Sequence, residues 1–180
     1  LFSKYLEDVI DQSNIFPKGV MNFIYGDGST GATLCAEPVD LISFTGSSST
    51  GKKIYTAAAE RLIPVCLELG GSSPGIVFEG CPLTDQVIES IFWKRFLNSG
   101  QFCDGLKRLI VHHTLFDECV DKLSRFAATV KIGDPLDLAT QLGPLVAERQ
   151  VLKLESQIQD SIKMGAKIIF GGKRPTHLQG

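Results

Sequence analysis

The sequence predicts an α/β protein, and three observations predict it. Apolar runs of strand length alternate with longer segments whose apolar residues recur at helical spacing, the runs are nearly continuous in their polarity, and Gly- or Pro-containing turns separate them. Continuous apolar strands interleaved with helices imply a parallel sheet covered on both faces.

Taken in order, a first helix is read from Leu1, Phe2, Tyr5, Leu6, Val9 and Ile10; Pro17 and Gly19 end it before a strand over residues 20–25. A second strand covers residues 41–44. The Ala-rich stretch 52–61 reads as a helix, 64–69 as a buried strand and 75–78 as a short further strand. After Cys81-Pro82, a helix over 84–98 carries Val87, Ile88, Ile91, Phe92 and Phe96 on one side and delivers the chain to Gly100-Gln101-Phe102-Cys103. Residues 109–112 are strand-like. Thr114, with Asp117 three positions on, is read as the cap of a helix to Val130 with the stripe Phe116, Val120, Leu123, Phe126 and Val130. A Gly- and Pro-containing loop over 133–144 leads to a last helix over 147–164, which Gly165 ends before a strand over 167–170. The domain seam falls at Gly70-Gly71.

A chain of 180 residues with 43% hydrophobic content has ample material for a packed core. With 18 Lys+Arg against 20 Asp+Glu and no long run of either sign, neither nucleic acid nor an anionic membrane surface is implied as a partner. No stretch of about 18 consecutive apolar residues marks a membrane span. Cys35, Cys66, Cys81, Cys103 and Cys119 are odd in number and lack a C-x-x-C pair, which argues against a disulfide framework and against a zinc site. A reducing compartment follows, with the cytoplasm as the expected location; a leader upstream of Leu1 is left open. Cys66 in an apolar run and Cys119 on a helical stripe read as small buried hydrophobes. Cys103, in a short polar connection, reads as a thiol free to meet a ligand.

Two glycine-rich turns compete for a phosphate. Gly26-Asp27-Gly28-Ser29-Thr30-Gly31 spells G-x-G-x-x-G after a strand-like run, yet positions 46–53 lack the acidic residue that the fingerprint wants about 20 positions on. The second turn runs from Gly46 to Gly51 and is followed directly by a helix, whose free N–H groups and positive end suit an anion, with Ser47 as an added hydroxyl donor. Gly26 from the first turn, and Thr45, Gly46, Ser47, Thr50 and Gly51 from the second, are the candidate cofactor contacts. Cys103 is the candidate nucleophile and Glu68, in Leu67-Glu68-Leu69-Gly70-Gly71, the candidate base: a thiolate attacks carbonyl carbon, and a carboxylate can take a proton from water, so the pair can form and hydrolyse a thioester. Against this stands the reading of Glu68 as a strand-end charge paired with Lys52. His112 and His113 follow a strand in tandem, so one of them faces solvent; neither they nor His177 is given a catalytic role.

In order and interval, Phe44-Thr45-Gly46-Ser47-Ser48-Ser49-Thr50-Gly51, Leu67-Glu68-Leu69-Gly70-Gly71, Ser72-Ser73-Pro74, Asn98-Ser99-Gly100-Gln101-Phe102-Cys103, Arg108, Gly133-Asp134-Pro135 and Gly143-Pro144-Leu145 resemble the NAD(P)-dependent aldehyde dehydrogenase superfamily over almost the whole chain. The resemblance implies that residues 1–70 are the C-terminal part of a Rossmann-like NAD(P)-binding domain and residues 71–180 the N-terminal part of an α/β catalytic domain. It further implies NAD or NADP as cofactor, a small-molecule aldehyde as substrate and a homo-oligomeric parent, dimer or tetramer. The pyrophosphate is expected at the Gly46 turn, attack by Cys103 with its backbone N–H on the oxyanion, and water activation by Glu68. Gln101 and Asn98 are expected to brace the cysteine loop, Arg108 to act structurally and Phe102 to line the aldehyde tunnel. Full-length members are well over twice as long, so an internal piece is expected, lacking the ribose contacts and an oxyanion Asn, and inactive alone. A non-catalytic fragment serving as a structural or interaction module is the alternative; an acylating, coenzyme A-dependent relative is a third reading, against which Glu68 argues. Two positions depart from the family pattern. Glu79-Gly80-Cys81-Pro82 replaces an acidic turn, and Asp104 stands after Cys103 where a small residue is usual, adding a negative charge that Lys107 or Arg108 would have to balance. Which aldehyde is used, and the choice between NAD and NADP, stay open.

Overall fold

The computed structural model describes residues 2–176 and 178, so Leu1 and His177 lie outside the described residues. Contacts divide the chain into two units, Leu1–Leu69 and Gly70–Gly180.

The first unit holds helices α1 (Phe2–Ser13), α2 (Gly28–Ala36) and α3 (Ser48–Ala59) and strands β1 (Ile42–Gly46) and β2 (Val65–Leu69). β1 and β2 pair in parallel, with Ile42 opposite Val65, Thr45 opposite Glu68 and Gly46 opposite Leu69. Helix α3 crosses between them and packs on one face of the pair. Gly51 and Ala58 are its buried residues. A Cβ on Gly51 would stand 2.6 Å from the Leu69 side chain, so glycine at this position is what lets the helix approach β2. The C-terminal end of α2 is tied down by the Arg61 guanidinium, which donates to the carbonyls of Ala36 and Glu37.

The second unit holds β3 (Ser73–Val77), α4 (Asp85–Phe96), β4 (Leu106–Val111), α5 (Phe116–Thr129) and α6 (Glu148–Lys163). β3 and β4 are again parallel, joined across α4. Val77, Leu83, Ile88 and Cys119 form the core, with Leu109, Val111, Leu123 and Phe126 packed against it. Phe92 extends this core: its ring meets Phe126 edge-on at 5.2 Å and stacks with Phe96 at 4.6 Å. Thr84 caps α4 through the Val87 N–H, and Gly165, at φ +96°, follows α6 where only glycine is at ease. Among the described residues, no helix is long and apolar enough to cross a membrane.

The structure corrects several expectations. Residues 20–25 and 167–170 are not strands, because no neighbouring strand completes a ladder with them. Among the described residues the strands form a parallel pair in each unit, where one sheet covered on both faces was expected. In the first, only one face is covered, so the strands alternate in burial and Cys66 is exposed where a buried thiol was expected. Phe2, Tyr5, Leu6 and Val9 of the α1 stripe are exposed, and the helix stops at Ser13 before Pro17 is reached. Thr114 does not cap α5: its hydroxyl is bonded 2.8 Å from His112 Nδ1, and a 3-10 turn over His113–Leu115 intervenes. On α5 the buried position is Cys119, while Phe116 is 52% exposed.

That difference along α5 and α4 sets an expected order of stability losses. Ile88→Ala removes a core side chain and should cost about 2–5 kcal/mol in urea unfolding, whereas Phe116→Ala should cost less than about 1 kcal/mol. Equal losses would place Phe116 in the core as well.

Candidate functional site

The two glycine-rich turns prove to be two helix starts with opposite electrostatics. At α2, Asp27 is the N-cap, and its Oδ1 accepts from the Ser29 N–H at 2.8 Å, the Ser29 hydroxyl at 2.6 Å and the Thr30 N–H at 3.4 Å. The Ser29 hydroxyl, followed by the two backbone donors, lowers the Asp27 carboxyl from the usual carboxylate range. This helix start therefore carries its own anion, which opposes a phosphate. Gly26 lies against the Thr30 side chain, which a Cβ would overlap.

At α3 the cap is the neutral Ser47, whose Oγ accepts from the Thr50 N–H at 3.2 Å and lies 2.9 Å from both the Ser49 and Thr50 hydroxyls. The Gly51 N–H donates to the Ser47 carbonyl. Among the described residues, the Ser48 and Ser49 N–H groups meet no protein acceptor. The helix thus begins at Ser48 rather than Lys52. Gly51 is buried in packing and the Thr50 N–H is bonded to the cap, while Gly46 and Ser47 are exposed. Thr45, at the end of β1, faces Glu68 across the ladder, and both are exposed. Among the described residues, no ion pair involves Glu68, so the alternative pairing with Lys52 is not formed.

In the second unit, Cys103 is exposed in a turn that the Gly105 N–H closes on the Phe102 carbonyl at 3.4 Å. The turn is held through its carbonyls. Lys107 Nζ donates to Phe102 O at 2.8 Å and to Cys103 O at 3.4 Å. The strand register slips between Ser73 and Pro74, pairing Ser73 with Leu106 and Pro74 with Arg108, so Lys107 is the extra residue of a bulge. Upstream, Asn98, Ser99 and Gly100 all have positive φ. Arg95 donates to the Gly100 carbonyl at 3.0 Å, and the Ser99 hydroxyl donates to the Gly143 carbonyl at 3.0 Å. Gln101 braces the loop as expected, donating to Asn98 O and accepting from the Val146 N–H. Asn98 contributes its carbonyl rather than its side chain. Arg108 is structural, donating twice to the Ser72 carbonyl. The Cys103 N–H has no protein acceptor among the described residues. A Cβ on Gly71 would stand 3.0 Å from the Cys103 carbonyl oxygen, which accounts for a glycine there.

Three features were not read from the sequence as they stand. Asp27 as a plug was visible as an Asp directly before a Gly-Ser-Thr helix start. The Lys107 clamp and the Ser99 bond to Gly143 depend on a bulge and on a distant loop, for which the sequence carries no local signal. No group of three or more His, Cys, Asp or Glu among the described residues is placed to hold a metal ion.

Accessibility orders the thiols. Burial pushes the Cys119 thiol up from its ordinary value, with Cys81 and Glu118 adding to the effect. Brief iodoacetamide treatment followed by peptide mapping should modify Cys103 and Cys66 while Cys119 stays intact until the chain unfolds; early loss of Cys119 would contradict its buried place.

Comparison with known proteins gives a consistent set. The aldehyde dehydrogenase family matches residues 3–180. The peroxisomal aminoaldehyde dehydrogenase 1 of Pisum sativum is 48% identical over 165 residues, covering 91% of this chain and 33% of the pea protein. The chloroplastic betaine aldehyde dehydrogenase of Beta vulgaris is 42% identical over the same shares. Among solved structures, Mycobacterium tuberculosis aldehyde dehydrogenase complexed with NAD+ is similar with TM-score 0.93 and 34% identity, over 98% of this chain and 36% of that one. The Staphylococcus aureus betaine aldehyde dehydrogenase complex with NAD+ gives TM-score 0.93 and 31% identity, over 98% and 35%. The chain spans about a third of the length of the curated relatives it matches.

Proposed function

The chain belongs to the aldehyde dehydrogenase family, and from that premise we propose that it is part of an enzyme that oxidises an aldehyde to its carboxylic acid with NAD+ or NADP+. The observation that carries this reading is the exposed Cys103 thiol on a turn whose carbonyls are engaged and whose own N–H is free. On this reading residues 1–70 contribute to the cofactor domain and residues 71–180 to the catalytic domain.

The residues present suit a dinucleotide at α3 rather than α2. A pyrophosphate meets free Ser48 and Ser49 amides and the Ser47 hydroxyl at a neutral cap, with Gly46 leaving the backbone open to approach. At α2 it would meet the Asp27 carboxylate, so Gly26 is assigned to the turn and not to the cofactor.

The Cys103 thiolate adds through sulfur to the aldehyde carbon, and the carbonyl electron pair moves onto oxygen, where the Cys103 N–H stabilises it. Bound NAD+ or NADP+ supplies the acceptor for the hydride that leaves this carbon. Cys103 then holds the acyl group as a thioester. Glu68 takes a proton from water, the oxygen attacks the acyl carbon, and the acid departs as the C–S bond breaks and the Cys103 sulfur regains its electron pair. Hydrolysis by Glu68 favours acid as product over transfer to coenzyme A. The parent acts as a homo-oligomer, and the 180 residues alone do not turn over. Free cysteines suit a reducing compartment such as the cytoplasm; relatives named peroxisomal and chloroplastic make import into an organelle the competing placement.

In the longer enzyme carrying this segment, Cys103→Ala should abolish turnover, while Glu68→Gln should leave a burst of reduced cofactor and slow the steady state that follows. A Glu68→Gln steady state equal to wild type would remove the base assignment. The cofactor turn has a separate test in the same enzyme. Ser47→Asp keeps a good N-cap, so the melting temperature should hold, yet it places a carboxylate where the pyrophosphate is expected and should weaken NAD(P) binding by at least about tenfold. Unchanged affinity by titration calorimetry would move the pyrophosphate elsewhere.

A further inference from the structure

The Cys103 N–H and the Phe102 carbonyl belong to one peptide group. Among the described residues every peptide bond is trans, so the two are coplanar and point in opposite directions, and a donor that fixes the carbonyl also fixes the line of the N–H. Two donors meet this carbonyl: Lys107 Nζ at 2.8 Å and the Gly105 N–H at 3.4 Å. Glycine at 105 leaves room for them, since a Cβ there would stand 3.3 Å from Phe102 O and 3.8 Å from Lys107 Nζ. Lys107 is the residue that the bulge leaves out of the β3–β4 ladder. Among the described residues no carboxylate pairs with its ammonium. Its longer bond, 3.4 Å to the Cys103 carbonyl, restrains the next peptide as well. An ammonium on a carbonyl oxygen makes a charge-assisted bond, and it polarises the amide so that the N–H on the far side becomes the better donor.

We propose that Lys107 is a positioning residue: by holding the Phe102 carbonyl it aims and polarises the Cys103 N–H toward the oxygen that becomes negative when sulfur adds. The inference rests on the reading of Cys103 as the nucleophile and of its N–H as the oxyanion donor. Lys107 acts through the peptide and not on the sulfur, so its loss slows only those reactions of Cys103 that build charge on oxygen.

Two reactions of the same thiol separate this role from a charge acting on the sulfur. Acylation by p-nitrophenyl acetate passes through a tetrahedral adduct with a negative oxygen and expels p-nitrophenolate; alkylation by iodoacetamide displaces iodide and builds no such charge. Both are measured at Cys103 in the longer enzyme carrying this segment, by peptide mapping, and neither requires cofactor. Lys107→Met keeps an unbranched side chain and removes the ammonium. Loss of a whole oxyanion donor slows acyl transfer by about 10²–10³; a donor that stays but loses its aim should cost about tenfold in acylation. Alkylation should stay within about twofold of wild type and the melting temperature should hold. Lys107→Arg, which restores the cation and its donors, should recover acylation to within about threefold of wild type. Equal slowing of acylation and alkylation overturns the proposal, because the ammonium then acts on the sulfur or on the fold; an unchanged acylation rate overturns it too. Turnover retained in Cys103→Ala would instead remove the nucleophile assignment, and the proposal with it.

Discussion

A parallel pair of strands cannot be closed by a tight turn; the chain must return to the starting edge, and a helix laid on the sheet is the compact way to do so. Both units are built on that constraint, β1 to β2 through α3 and β3 to β4 through α4. The crossover fixes where irregular backbone falls. In the first unit the strand-to-helix passage after β1 leaves the Gly46-Ser47 turn at the carboxyl end of the strands, where α/β folds generally receive ligands. In the second, the helix-to-strand passage after α4 is the loop that carries Cys103. Neither unit needs a special scaffold for its candidate residues, since each occupies the break that the topology already requires.

Within the first unit, two helices begin after similar glycine-rich turns and differ in the charge of the capping group. A carboxylate at Asp27 satisfies the first amides of α2 and supplies the negative charge that the helix end favours. A hydroxyl at Ser47 satisfies one amide of α3 and adds no charge, so the positive end and the Ser48 and Ser49 donors stay available. A pattern of glycines therefore says that backbone can approach a ligand closely, and the capping residue says whether an anion has a reason to come.

Much of this was legible before any coordinates. Helices α1, α3, α4, α5 and α6, the Gly46 turn, Glu68 at a strand end and Cys103 in a loop follow from periodicity, capping and turn residues, while α2 over Gly28–Ala36 was not read as a helix. The misread strands at 20–25 and 167–170 share one cause: strand character in sequence describes what a segment can do, while a ladder needs a partner elsewhere in the chain. Cys66 failed for a related reason, because an apolar run does not tell how many faces of its sheet are covered. The start of α3 was set four residues late because Ser48, Ser49 and Thr50 are weak helix formers; the Ser47 cap and the packing of Gly51 on Leu69 outweigh that propensity.

The second unit separates its exposed candidate residues from those that hold backbone. Cys103 and Asp104 are exposed and bury nothing, so the fold spends little on their side chains. Their position is set instead by neighbouring groups: the Lys107 ammonium on two carbonyls, Gly71 and Gly105 where side chains would crowd the turn, and Ser99 and Gln101 tying the loop to residues 143 and 146. Most of these bonds end on main-chain atoms. Substitutions at the turn tip can therefore change reactivity or selectivity with little change in fold, whereas substitutions at the anchors shift the whole turn.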